Sequence, residues 1–247
     1  GNAARDAAIT IQRERPDQAQ EIARGAAASV WPPDPQFAYL AGDPKRAAEL
    51  EPSGKRFFQL ARAAETAGDD REAIALYQRS LKAEPNNLQT RKRLAEAQER
   101  TGDAAGALAT WRSMVDLSHG PVGQVRAIPE LPDTLPAFAS AALADDAAKR
   151  QAWADAERQY HDAQTVIEEY SQTPPAYQQT ELLTVSDPAG RRAEVRTLYE
   201  KVIAGRQEAL RRLGQPEDAA ALDAVKQETL SRLDAFLTLD QLTGGGK

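Results

Sequence analysis

Between Gly54 and Gly120 the chain repeats itself at an offset of 34 residues, and few folds tolerate that constraint. Leu60 and Ala61 recur as Leu94 and Ala95, Gly68-Asp69 as Gly102-Asp103, Ala73 as Ala107, and Tyr77 as Trp111. Apolar residues at spacings of three and four mark a helical face on either side of each Gly-Asp pair: Phe57, Leu60, Ala61 and Ala64 before the first, Ala73, Ile74, Tyr77 and Leu81 after it. A period of this length, made of two amphipathic helices around a turn, predicts a helical solenoid whose units bury their faces only by stacking.

The flanks extend the pattern less regularly. Leu143, Ala144, Ala156, Tyr160 and Ala163 occupy the same relative places in a unit over 137–170. Its Tyr160 lies 49 residues after Trp111, one period plus 15. The extra residues fall at about Pro121–Pro136, where Pro129, Pro132 and Pro136 oppose regular helix and Asp133-Thr134 offers a helix start. Gln151 stands where the turn glycine belongs. A second loop is expected over 171–190, then two long helices over 191–242 and a flexible tail at 243–247. The first would carry Val195, Leu198, Tyr199, Val202, Ile203, Ala209, Leu210 and Leu213 inward, and the second Leu222, Val225, Leu230, Leu233, Phe236 and Leu237. Residues 1–53 read as helical turns capping the other end: Asn2–Arg13, Pro16–Val30, Gln36–Leu40 and Pro44–Leu50, the last capped by Asp43.

These residues resemble the tetratricopeptide repeat family. In that family, small residues at positions 8 and 20 let the paired helices approach, and a bulky aromatic at position 24 fills the space toward the next repeat. Those roles fall on Ala61, Ala73 and Tyr77, then on Ala95, Ala107 and Trp111. A proline ends the first unit at Pro85, and in the second it is displaced to Pro121. The 191–242 pair fits loosely, with Asp223 in the aromatic's place. The resemblance implies an all-α, right-handed α-solenoid of helix–turn–helix repeats with two irregular insertions and a long C-terminal helix pair. It also implies a groove lined by positions 2, 5, 9, 12 and 13. In the first unit these are Lys55, Phe58, Arg62, Glu65 and Thr66; in the second, Gln89, Lys92, Glu96, Glu99 and Arg100; in the third, Phe138, Ala141, Asp145, Ala148 and Lys149. Lys92, Glu96 and Arg100 also make an i, i+4 ladder. Glu96 stands where the carboxylate clamp of some such modules places asparagine, so a surface of mixed polarity is expected instead.

Composition narrows the function. With no cysteine, thiolate catalysis and disulfides are excluded. A net charge of −6 argues against a general nucleic-acid binder, and no apolar run reaches membrane-spanning length. The two histidines, His119 and His161, lack the spaced partners of a metal site, and the acidic pairs Asp145-Asp146 and Glu168-Glu169 read as solvated faces. No cofactor is expected. The expectation is a non-enzymatic scaffold that binds a protein or peptide, alone or within a larger assembly. The rivals are a structural subunit of an envelope complex or filament, and an enzyme working from the loops at 121–136 and 171–190. A start at Gly1 and the absence of cysteine lean toward an extracytoplasmic protein, periplasmic or surface-anchored, lacking its leader or anchor.

Overall fold

The structure is a computed structural model that describes residues 2–12, 15–26, 33–119, 133–174, 176–178 and 187–236. Among these residues there is no strand, and twelve helices of six residues or more form the fold. They are α1 (Asn2–Ile11), α2 (Pro16–Ala26), α3 (Pro35–Leu40), α4 (Pro44–Leu50), α5 (Gly54–Thr66), α6 (Asp70–Ala83), α7 (Leu88–Arg100), α8 (Ala104–His119), α9 (Leu135–Lys149), α10 (Trp153–Ser171), α11 (Pro188–Arg212) and α12 (Pro216–Asp234). The all-α helical-repeat class expected from the period is the class observed.

The helices start and stop by repeated local chemistry. Asp34, Asp43, Ser53, Asp69, Asn87 and Asp187 each accept, through a side-chain oxygen, the backbone N–H three residues on. Each satisfies a donor that the first helical turn cannot satisfy internally. Five helices end in one and the same turn. At Gly42, Gly68, Gly102, Gln151 and Gly214 the backbone takes a positive φ, and the next N–H returns to a carbonyl five residues back. Asp69 reaches Ala64 and Ala152 reaches Ala147, both at 2.9 Å. Gln151 therefore makes the family turn without its glycine, at φ 59°.

The chain forms two compact units, Gly1–Ala107 and Leu108–Lys247. In the first, α1 packs on α2 and α3, α4 on α5, and α6 on both α5 and α7. Ala61 and Ala73 are fully buried where α5 meets α6, as the small-residue positions require, and Tyr77 is buried beside them. A separate apolar cluster, Ala8, Ala23 and Phe37, holds α1–α3. Between the clusters sits the buried guanidinium of Arg56, hydrogen-bonded to Glu51 at 2.7 Å, Gln59 at 2.9 Å and Gln36 at 3.2 Å. Gln36 in turn donates to Gln12. The N-terminal helices are thus tied to α5 by a polar chain as well as by apolar burial.

In the second unit α10 packs on α9 and α11, and α11 on α12. Ala144, Ala156, Ile167, Tyr170, Val195, Tyr199, Val202 and Ile203 lie in one core. Gly205 lets α11 rest against the ring of Tyr160: a Cβ there would come within 2.3 Å of the ring's Cζ. Trp111 and Met114 of α8 are buried as well. No helix among the described residues is long and apolar enough to cross a membrane.

Some expectations need correction. Leu213 and Val225 are exposed, because Leu213 has passed into the turn after α11 and Val225 lies on the outer side of α12. Pro136 belongs to the first turn of α9, where its missing N–H costs nothing, and the cap is made by Asp133 accepting from Leu135 at 3.0 Å while Thr134 makes none. Helix α10 runs to Ser171, and beyond it Thr173 and Gln178 fold back on the helix end, Gln178 donating to the Thr173 carbonyl. Residues 27–32, 120–132, 179–186 and 237–247, which include Trp31, Pro129, Pro132 and Leu237, lie outside the described residues.

Two substitutions test this geometry with opposite signs. Gln151→Gly removes a left-handed penalty of about 1 kcal/mol from an exposed residue and is expected to raise the melting temperature by about 2–4 °C. Gly205→Ala gains about 1 kcal/mol of helix propensity but forces the ring of Tyr160 aside at about 1–3 kcal/mol, so thermal melts should show a loss.

Candidate functional site

The face expected to meet a partner is the side of α5 and α7 that carries the groove positions, and its side chains are more engaged than their spacing suggests. Lys55 and Thr66 are exposed, and Gln89 is half-buried. Phe58 leans on Tyr77, ring centroids 5.8 Å apart at 52°, and serves the core more than the surface. Lys92 is 3% exposed, its ammonium 3.3 Å from Glu96. Phe138 lies in the other unit and is packed against its core, and Ala141 is buried there. Ala148 is half-buried and Lys149 exposed.

Glu65 is the centre. Its carboxylate accepts the Tyr77 hydroxyl at 2.8 Å, Arg62 at 2.9 Å and Arg100 at 2.8 Å, with Arg93 at 4.0 Å. Arg100 reaches across from α7 and also grips Asp70 through Nε and Nη2, a two-pronged pairing suited to the guanidinium plane. The expected ladder is therefore only half made: Lys92 pairs with Glu96, while Arg100 turns to Glu65 and Asp70. Of the sequence-predicted residues, Arg62, Glu65, Arg100 and the Lys92–Glu96 pair gather in this lattice. Arg93, Asp70 and the hydroxyl of Tyr77 complete it and were missed. Arg93 sits one position from a groove residue. Asp70 looks like a helix-start acid, and nothing in the sequence joins it to a residue 30 positions later.

Burial raises the pKa of Glu65, but the Tyr77 hydroxyl and then Arg62, Arg93 and Arg100 outweigh it and hold the group below its ordinary 4.5. The hydrogen bond from Arg100 likewise holds Asp70 below 3.8, burial opposing it. Burial, then the neighbouring carboxylate, pushes the phenol of Tyr77 up.

The second unit repeats the device. Asp145 of α9 accepts the Tyr160 hydroxyl at 2.7 Å and pairs with Lys201 of α11. Glu168 accepts Tyr199 at 3.0 Å. Asp145 and Glu168 are thus not solvated face residues. In each acidic pair one member points to a tyrosine, and its neighbour lies about 100° around the helix: Asp146 pairs with Arg150, and Glu169 is exposed. His119 and His161 are exposed, and the described residues contain no group of three metal-ligating side chains.

Helix pairs with shared turn geometry, small residues at the crossings and the buried aromatics Tyr77, Trp111 and Tyr160 at one repeat position define a helical-repeat protein. Residues 56–97 match the family model of the tetratricopeptide repeat. Among solved structures, the chain is similar to the MamA protein at 18% identity, over 78% of this chain and 96% of that one, with a TM-score of 0.38. It is similar also to BtubC from P. vanneervenii at 14% identity, over 90% and 95%, with a TM-score of 0.39. No curated protein matches the chain.

The depressed pKa values of Glu65 and Asp70 make the lattice a source of stability that is full above the ordinary carboxylate range and lost as pH falls through the lower folded values. Glu65→Gln should therefore melt below the parent at pH 6, with the gap narrowing as pH falls below 4.5 and the parent's own carboxyl takes up its proton. Parallel melting curves across that range would refute the assignment.

Proposed function

We propose that the chain is a binding protein, not an enzyme, and that the α5–α7 face of its first unit receives a segment of another protein. The repeats themselves support protein–protein interaction as the class of function. One observation favours this face: guanidiniums from two different helices are fixed around one carboxylate, so a polar partner meets donors already ordered, and less side-chain entropy is lost on binding. The lattice includes no nucleophile–base pair, and its charged groups are held in ion pairs, an arrangement suited to recognition more than to turnover.

Photo-cross-linking residues placed singly at Lys55, Thr66 and Gln78 in cells of the source organism test the reading. The first two flank the lattice, and Gln78 is on the exposed side of α6. A discrete adduct from positions 55 and 66 but not from 78 is expected. Equal adducts from all three, or adducts from 78 alone, would move the docking surface elsewhere.

A further inference from the structure

The joint between the N-terminal helices and α5 differs in kind from the joints that follow it. Across α5, α6 and α7, the buried residues Ala61, Ala64, Ala73, Leu76, Tyr77 and Leu94 form one apolar cluster. Helices α1–α3 have their own, Ala8, Ala23 and Phe37. Among the described residues, neither cluster takes a member from the other side of the joint. Helix α4 packs on α5, and the side chains it buries are two alanines, Ala47 and Ala48. The guanidinium of Arg56 occupies the joint instead, 3% exposed. It donates through Nε to Glu51 and through Nη1 to Gln36 and Gln59, so α3, α5 and the end of α4 meet on one cation. Glu51, the charged partner, keeps 49% of its side chain exposed.

We propose that this joint is built to open: α1–α4 leave α5 as one body, about the non-helical link Glu51-Pro52-Ser53, while α5–α7 stay folded. Closing the joint takes a charge and two side-chain amides out of water, and only hydrogen bonds of one fixed geometry offset that cost. Opening returns the hydration, and with alanines as the buried apolar contact of α4, little buried area opposes it. The guanidinium fork fixes where the cap docks, and the charge keeps the docking shallow. Opening also changes α5. Gln59 lies one helical turn from Lys55 and from Arg62, so the open state adds Gln59 and the bared Arg56 to the α5 face. The cap thereby limits how much of α5 a partner can reach. That consequence rests on the docking reading above, whereas the opening itself does not.

Hydrogen exchange read by mass spectrometry on the full chain, in urea well below the global midpoint, tests this. Amides across α1–α4 are expected to exchange through one shared opening that urea accelerates, at least about tenfold more often than amides of α6 and α7. Two variants of Arg56 should move that opening in opposite directions. Arg56→Lys keeps the charge but loses the fork, and should raise the opening frequency of α1–α4 about tenfold. Arg56→Met keeps an unbranched stem without the charge, leaves Glu51 able to reach water, and should lower that frequency several-fold. Neither variant should alter exchange in α6 and α7, and Arg46→Met, on an exposed residue of α4, should leave the opening unchanged. Amides of α1–α4 and α6 that share one urea dependence and one rate would overturn the proposal. So would urea-independent exchange, helix by helix, which is fraying. More frequent opening in both Arg56 variants would mark the side chain as an ordinary hydrogen-bonding contact and overturn its role in the joint. The cross-links at positions 55 and 66 report separately: their absence while the opening persists would remove the docking reading and leave the joint.

Discussion

A tyrosine buried in a helical hairpin brings a hydroxyl that must find an acceptor, and the acceptor that serves it here is a carboxylate on the preceding helix. That carboxylate, half-buried, needs a positive partner in turn. In both units the cation comes from the first helix of the following hairpin: Glu65, Tyr77 and Arg100 in one, Asp145, Tyr160 and Lys201 in the other. The chain of need runs from an apolar ring, through a hydroxyl and an acid, to a neighbouring helix. It couples adjacent hairpins by directional bonds where apolar stacking alone would leave their register loose. Isolated surface ion pairs are worth at most about 1 kcal/mol, so the contribution lies in the shared, partly buried acceptor and not in the number of bridges.

The aromatic and small positions supply the complementary constraint. Ala61 against Ala73 and Ala144 against Ala156 bring paired helices close enough for the tyrosine to reach its acid. Gly205 extends the same economy of size to the next helix, where only a hydrogen fits beside Tyr160. In both units backbone proximity comes first and the polar connection follows from it.

The period and its internal spacings made the helices, their order and their turns legible, including the unusual turn at Gln151, because these follow from local propensity and from residues a few positions apart. The site was legible only in outline. Spacing puts Arg62, Glu65, Lys92, Glu96 and Arg100 on first helices, but it cannot say which of them saturate one another. Arg100 chose partners 30 and 35 residues away over the one four residues away, an outcome of how α7 and α5 both pack on α6, where Asp70 lies. Lys92 and Phe58, placed on the groove by the pattern, are drawn inward because long side chains follow whatever acceptor or ring lies within reach. Arg56 escaped notice because a buried guanidinium looks, in sequence, like any polar residue of a helix.

At the last hairpin the repeat's own grammar is altered. Gln207 of α11 donates to the Ala219 carbonyl at 3.0 Å and to Asp223 at 2.8 Å, so the positions that elsewhere hold a small residue and an aromatic are occupied by a hydrogen-bonded polar pair, with Asp223 exposed. An aromatic at that point is both the floor of one hairpin and the seat for the next. Asp223 is neither. A further hairpin, or a second copy arriving end-on, would have to strip water from a carboxylate with no ring beneath it, and growth in that direction would lose free energy at its first step. The Gln207–Asp223 pair therefore makes this side of the hairpin a poor apolar seat, where the rings of Tyr77, Trp111 and Tyr160 make good ones.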